Sequence, residues 1–329
     1  MKKVINILIL TLIAVSCERN TDILGPSLVD RFGPFSVFEA FDASMYNVDF
    51  SVNQTVEFTA TFSKQVTWEV HIVGQLSGAE KVLTGLSNRI DAANGGVWDG
   101  TITKLPMFKK EPCFAYLYID DVDTLFIDTL SNLINVNETR VLDGFIVTDW
   151  ENGVNDGFNV FVQSGADMRF DTVNDITGPE GSVFYETSGD VGFSDDLGNI
   201  SMPKSSFTDS NFTLSTNNEI VYFNVFAKKG PNAVQDIYVF QFMEDDNDDG
   251  VYNPGDDDLH EYVINSGLTQ DWEQYVAKYA DLVTTNSGGG GQKNPDKLIQ
   301  MLVLPIGVKE PFEGFLDYLV FTENGPLVP

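Results

Sequence analysis

Apolar and polar residues alternate in short runs along most of this chain. Val56-Glu57-Phe58-Thr59-Ala60-Thr61-Phe62 and Thr67-Trp68-Glu69-Val70-His71-Ile72-Val73 each place every second side chain on one face, and turn residues bound both runs. A period of two marks a half-buried β-strand. Short strands are also predicted over 114–119 and 124–127, and longer ones over 220–227, 236–243, 272–279 and 315–322. No stretch holds helical spacing for long. Many strands between frequent turn signals predict an all-β protein built of sandwiches. The pattern breaks between Asn135 and Asp143 and restarts at Gly144-Phe145-Ile146-Val147. Two β-domains are therefore expected, residues 36–138 and 139–329. The run Ser287 to Gly291 carries four consecutive glycines between two predicted strands, which reads as a flexible loop and not as a linker between domains.

The N-terminus follows another pattern. Lys2 and Lys3 precede an apolar run from Val4 to Val15, broken only by Asn6 and Thr11 and followed by Ser16. Spanning a bilayer takes ~20 residues, so this run is too short to cross. A charged start, a short apolar middle and small residues at the end make Met1–Ser16 a secretory signal peptide. Ala14-Val15-Ser16-Cys17 resembles the lipobox of bacterial lipoproteins, with Ala14 where Leu is commoner. That resemblance implies that Cys17 is diacylated and becomes the first residue of the mature protein. An ordinary signal peptide that happens to contain a cysteine is the alternative. Each buried acyl methylene adds ~0.8 kcal/mol of membrane affinity, so two or three chains would anchor the protein without a spanning segment. Residues 17–35 are polar, with Gly25-Pro26 and Gly33-Pro34 as breakers, and read as an extended tether.

Composition narrows the function classes. The 329 residues carry a formal net charge of -30, a surface that repels polyanions and excludes nucleic acid as a partner. Solubility alone accounts for much of such a charge, though it also attracts divalent cations. After Cys17 the one remaining cysteine is Cys113, so no disulfide staples the fold. Cys113 sits in a strand-like run and reads as a small buried hydrophobe. With only two histidines, His71 and His260, a zinc centre or a Ser–His–Asp triad has little to draw on. His71 reads as a half-buried strand residue, and His260 could at most join the acidic loop before it. Paired carboxylates among 49 Asp and Glu leave a glycoside hydrolase or lyase as one alternative.

The strongest local signal is the stretch from Asp245 to Asp256, Asp-Asp-Asn-Asp-Asp-Gly-Val-Tyr-Asn-Pro-Gly-Asp. Read as a twelve-position calcium loop, it offers side-chain oxygens from Asp245, Asn247 and Asp249, the Val251 carbonyl, Asn253 through water, and Asp256 to close the shell. Gly250 permits the sharp turn. The closing residue is Asp where sensor loops have Glu, and the flanks are strands, so a helix–loop–helix hand is not expected. A solvated acidic turn is the alternative. Such a calcium ion would be structural, since extracellular modules bind it at ~0.1–1 mM.

Sugar recognition asks for flat aromatic faces beside amides and charged groups. In Val221-Tyr222-Phe223-Asn224-Val225-Phe226 one face carries Tyr222 and Asn224, and in 272–279 one face carries Trp272, Gln274 and Lys278. With Tyr185, these are the candidate glycan-binding residues.

Two groups of motifs resemble known families. Phe58-Thr59-Ala60, Thr67-Trp68-Glu69-Val70, Ser77-Gly78-Ala79 and Gly96-Val97-Trp98-Asp99-Gly100 resemble the immunoglobulin-like modules of the flagellar-hook-cap (FlgD-like) type. Gly181-Ser182-Val183-Phe184-Tyr185, Ile220 to Asn224, Gln270 to Tyr275 and Phe315 to Phe321 resemble the jelly-roll carbohydrate-binding modules of the galactose-binding-like superfamily. Tether, Ig-like spacer and terminal jelly roll together resemble the SusE/SusF-type surface glycan-binding lipoproteins of Bacteroidota. This implies a noncatalytic lipoprotein, displayed at the outer-membrane surface, that holds polysaccharide beside a SusC/SusD-like importer. A structural accessory subunit of that importer, with no glycan affinity of its own, is the other reading. The resemblance also implies a second structural calcium site at Asp317, near the start of the last strand, with Glu151 as its partner. Replacing Cys17 by Ser is expected to abolish metabolic labelling with palmitate and to release the protein from the membrane fraction. Unchanged labelling would remove Cys17 from that role.

Overall fold

The computed structural model describes residues 33–121, 124–190, 194–234, 237–265, 267–308 and 311–329. The signal peptide, Cys17 and nearly all of the tether lie outside them. Among the described residues there is no α-helix, only strands and short 3-10 turns. The all-β sandwich class expected from the alternation is the one observed.

One long strand organises the N-terminal half. Val56–Gly74 is continuous, where two strands were expected, because Ser63-Lys64-Gln65 keeps the alternation instead of turning. Val56, Phe58, Ala60, Phe62, Val66, Trp68, Val70 and Ile72 are all buried along one face. Its first part pairs with Val37–Ala43 and Val97–Trp98, its last part with Pro112–Asp121. Glu80–Ile90 pairs along both, with a register shift between Thr61 and Val66. Ile134–Glu138 and Asn47–Asp49, a parallel pair, complete the sheet path. The Trp68 indole lies across Gly85, where a Cβ would come within 2.2 Å of the ring, so this position tolerates no side chain. Cys113 is buried in this core, and burial pushes its thiol pKa far up, in keeping with an inert hydrophobe.

The C-terminal half is a pair of antiparallel sheets. In one, the strands run in the order Asn159–Val162, Gly198–Pro203, Leu298–Val308, Ile237–Glu244, Asp258–Asn265, Val283–Ser287. In the other, the order is Asp167–Asn174, Val183–Asp190, Phe312–Glu323, Val221–Lys229, Glu273–Lys278, with Phe145–Thr148 also on Phe312–Glu323. Between them lies an aromatic core in which Phe223 meets Phe242, Phe240 and Phe321 at ring-centroid distances of 5.1, 5.2 and 5.5 Å.

The second sheet is buried on its other face too. Phe184, Phe226, Trp272, Tyr318 and Val320 pack there with Leu327 of the C-terminal tail and with Leu105 and Met107 of the N-terminal half. Backbone bonds tie the halves together, from Met107 N–H to the Pro179 carbonyl at 2.8 Å and from Ile102 N–H to the Pro329 carbonyl at 3.3 Å. Arg140 donates to the Val328 carbonyl at 3.0 Å. Truncating a fully buried phenylalanine costs about 3–5 kcal/mol through lost transfer energy and the cavity left behind. Phe223→Ala should therefore lower the denaturant midpoint by that amount of stability. A loss below ~1 kcal/mol would show that the aromatic cluster is not the core of the sandwich.

Candidate functional site

Three places in the fold gather chemistry-bearing side chains. The first is the junction between the halves. Glu151 follows Phe145–Thr148 after a turn in which Trp150 takes φ 61. Its Oε1 accepts the Ser182 and Val183 amides at 2.6 and 2.7 Å. Gly181, at φ 46, allows that approach, since a Cβ there would sit 2.1 Å from Glu151 Oε1. Asp317 lies in Phe312–Glu323, where Tyr318 takes φ 48, and is fully buried. It accepts its neighbour's amide, Tyr318 N–H, at 2.8 Å and the Glu180 amide at 3.3 Å. From the N-terminal half Lys109 reaches over and donates to the Gly178 carbonyl at 3.1 Å.

Electrostatics make this corner short of positive charge. Burial, then the nearby Glu151 and Asp149 charges, push the Glu180 carboxyl up to about 7. Burial and the charge of Glu180 hold Asp317 well above the usual carboxylate range. Lys109 is itself pulled down by burial, against the attraction of Glu180, Asp317, Glu151 and Glu111. Glu180 Oε2 is buried without a hydrogen-bond partner. An orphaned carboxylate oxygen suits a cation, but the ligand atoms of Glu151, Glu180 and Asp317 do not converge within 4.8 Å of one another. Glu180 was not recognised from sequence, although it adjoins the Gly181-Ser182-Val183 motif.

The second place is the acidic loop. Asp245 accepts the Asp249 and Gly250 amides at 3.0 and 2.8 Å, Asn247 accepts the Asp249 amide at 2.9 Å, and Asp249 accepts the Val251 amide at 2.9 Å. Gly250, at φ 85, makes the sharp turn. These side chains fold the loop by capping its own backbone. Asp256 is exposed and bonds the Asn253 side chain, while the buried Asp257 ties the ends together through the Asp246 and Asn253 amides at 2.9 and 2.7 Å. Asp245, Asp249 and Asp256 do not form a convergent group. Among the described residues the one convergent group is Glu244, Asp258 and His260, with ligand atoms within 4.8 Å of one another. The loop is thus folded on its own backbone with Asp256 on Asn253 at the surface, and the acids that converge within 4.8 Å flank it. The glycine run lies between Val283–Ser287 and Leu298–Val308, a loop and not a linker between domains, as expected. Gly289 and Gly291 donate their amides to Asp258 at 2.8 and 2.7 Å, which pins the loop over the acids.

The third place is the sheet face that was expected to bind glycan. Register brings Tyr222 opposite Lys278 and Phe226 opposite Gln274, so Tyr222, Asn224, Gln274 and Lys278 do share one face. That face is mostly covered. Asn224 is buried and accepts from Leu327 N–H at 3.0 Å and from Gln274 Nε2 at 3.1 Å. Gln274 also donates to the Leu327 carbonyl at 3.0 Å. Lys278 is paired with Glu219. Tyr185 faces the other way, fully buried and stacked on Trp150 at 4.3 Å, and presents nothing to a ligand. Trp272 is 9% exposed, packed edge-on by Phe184 and covered by the Lys228 ammonium 4.8 Å above its ring. What remains open is a cleft of about 440 Å³ at the junction, where Trp272, Glu273 and Gln274 face Thr103, Lys104 and Leu105.

No protein-family model matches the chain, and no curated protein matches it either. Among solved structures it is similar to a Family 11 carbohydrate-binding module from Clostridium thermocellum, in complex with a β-1,3-1,4-mixed-linked tetrasaccharide. The identity is 14%, the TM-score 0.41, and 56% of this chain and 96% of that one are covered. A Family 30 module of a Clostridium thermocellum cellulosomal cellulase matches at 14% identity and a TM-score of 0.37, covering 56% and 100%. An exo-β-agarase matches at 12% and 0.37, covering 56% of this chain and 25% of its own. Likeness at this level transfers no ligand and no activity.

The raised Glu180 pKa gives a direction to stability. A carboxyl held at about 7 when folded, against an ordinary value of 4.5, favours the folded state fully below 4.5. That contribution is lost as pH rises through 7. In excess chelator, melting temperature should fall between pH 5 and 8, and Glu180→Gln should flatten the fall. An equal slope in both proteins would clear Glu180 of the strain.

Proposed function

We propose that this protein is a noncatalytic glycan-binding lipoprotein of the outer membrane that takes its sugar in the cleft between the two halves. The cleft carries the reading: Trp272, Gln274, whose Oε1 is still free to accept, and the exposed charges of Glu273 and Lys104 line one space of about 440 Å³. That is the size of a small-ligand site, and its mix of apolar edge and hydrogen-bonding groups suits sugar rings and hydroxyls. Glu273 is the one acidic side chain lining it, whereas glycoside hydrolysis uses two carboxylates. Cys17 supplies the lipid anchor, residues 17–35 the tether, and a SusC/SusD-like importer is the neighbour that receives the polymer. A structural calcium ion at the junction would have to draw Glu151, Glu180 and Asp317 together around it, and would supply the positive charge that corner lacks.

Affinity electrophoresis across soluble plant, algal and fungal polysaccharides tests this. The expected result is retardation by at least one polymer without release of reducing sugar. Lys104→Ala and Glu273→Ala should each weaken binding about tenfold, ~1.4 kcal/mol. No retardation across the panel would overturn the reading, and turnover would make the protein an enzyme. A second reading, an accessory subunit without glycan affinity, is favoured by the edge strand Asn159–Val162, where Val160, Phe161 and Val162 stand 43%, 50% and 40% exposed. An apolar unpaired edge is a docking site for another strand. Co-purification with the importer, with no retardation by any polymer, would select it.

A further inference from the structure

The geometry points to a buried first-row transition-metal site, of the kind zinc occupies, formed by Glu244, Asp258 and His260 at the base of the acidic loop. It is separate from the calcium site at the junction. Antiparallel register sets it up. Met243 pairs with Leu259 and Phe242 with His260, so Glu244 continues the inward series Tyr238, Phe240, Phe242 and arrives beside Asp258 and His260. All three side chains are fully buried, and one ligand atom from each lies within 4.8 Å of the others.

Hydrogen bonding leaves the right atoms free. His260 Nδ1 lies 3.0 Å from Thr284 Oγ1. Donation there places the ring's remaining lone pair on Nε2. Nε2 is 3.3 Å from Glu244 Oε1 yet makes no hydrogen bond, and Glu244 Oε2 is buried with no partner at all. A lone pair facing a carboxylate in a dry interior is repulsive until a cation enters between them. Tyr279 and the Asn294 amide both donate to Glu244 Oε1 at 2.8 Å, which orients the carboxylate and leaves Oε2 available. The Gly289 and Gly291 amides orient Asp258 by donating one to each carboxylate oxygen, each of which keeps a second lone pair. Only glycine permits that cover: a Cβ on Gly288 would meet the Pro254 carbonyl at 2.4 Å, and one on Gly289 would meet Asp246 Oδ2 at 2.1 Å. Lys297 pairs with Asp248 at the exposed rim of the loop.

The donor set decides the class of metal. One imidazole with two carboxylates suits zinc or a similar first-row dication, while calcium prefers oxygens alone. Donors fixed by outer hydrogen bonds are also what such sites use to orient their ligands. The protein should be refolded in millimolar calcium with zinc or, separately, cobalt, and then freed of unbound metal by gel filtration. The expected result is one retained zinc per chain by elemental analysis. The cobalt form should show visible d–d absorption. His260→Gln and Glu244→Gln should abolish both signals. Thr284→Val, which keeps every ligand but frees Nδ1, should weaken retention ~10–100-fold. A folded wild type that retains neither metal overturns the proposal even if the ligand variants do not fold. Retention unchanged in folded His260→Gln overturns it as well.

Discussion

A carboxylate that leaves water must regain its hydrogen bonds or meet a positive charge, because the uncompensated cost is several kcal/mol per ion. This constraint shapes the chain at both ends of its sandwich. Glu244, Asp257, Asp258 and Asp317 are all fully buried in a protein whose net charge is -30. Backbone amides carry most of the load. Asp257 and Asp258 each accept two, and the glycines at 181, 288 and 289 exist where a side chain would keep those amides away. Among the buried side-chain atoms left without a partner are Glu180 Oε2, Glu244 Oε2 and His260 Nε2, and both proposed cation sites lie on them.

Strands were legible in the sequence to the extent that only one of their faces is buried. Val56–Gly74 alternates without a break for nineteen residues, and period two finds it at once. Leu298–Val308 lies near the middle of its sheet and was not found. Leu302, Leu304 and Ile306 on its outer face are as apolar as Met301 and Val303 within, so the alternation is hidden, and Pro305 argues against a strand. For the same reason Val221–Lys229 was read correctly as two faces and wrongly as one open face. Tyr222 stays half-exposed, whereas Asn224 is closed off by Leu327, 103 residues away in sequence, and no local pattern encodes that contact.

The site chemistry was legible by residue type and not by convergence. Spacing along Asp245 to Asp256 suggests a shell, and in the fold Asp245, Asn247 and Asp249 accept the loop's own amides. The residues that converge flank it, and what joins them is cross-strand register, a property of the hairpin as a whole. A signal was present in the chain. Glu244 occupies an inward position after Tyr238, Phe240 and Phe242, and a charged residue in an otherwise apolar series needs a partner. His260 stands at the matching inward position of the next strand. Reading the alternation through to the strand ends, instead of stopping where it turns polar, would have paired them.

The covered sheet face also changes what the N-terminal half does. Expected as a spacer, it packs Leu105 and Met107 against Trp272, Phe226 and Tyr318 and sends Lys109 to the acidic corner. A spacer joined by a free hinge would leave that face wet, and its apolar residues, at roughly 25 cal/mol per Å², would favour closing it. The open cleft at Lys104 and Glu273 therefore has a floor only while the halves stay docked. Under the proposed reading, ligand binding and docking are one equilibrium: a sugar that bridges the cleft must stabilise the docked arrangement by the same free energy with which docking strengthens its binding. A dication drawn in by Glu151, Glu180 and Asp317 would, under the same reading, act on that equilibrium from the other side. It would relieve the crowding of Glu180 and Asp317 and share with Lys109 the work of offsetting their charge. Calcium and glycan, held at separate places along one seam, would then be coupled through the packing of the halves without touching each other.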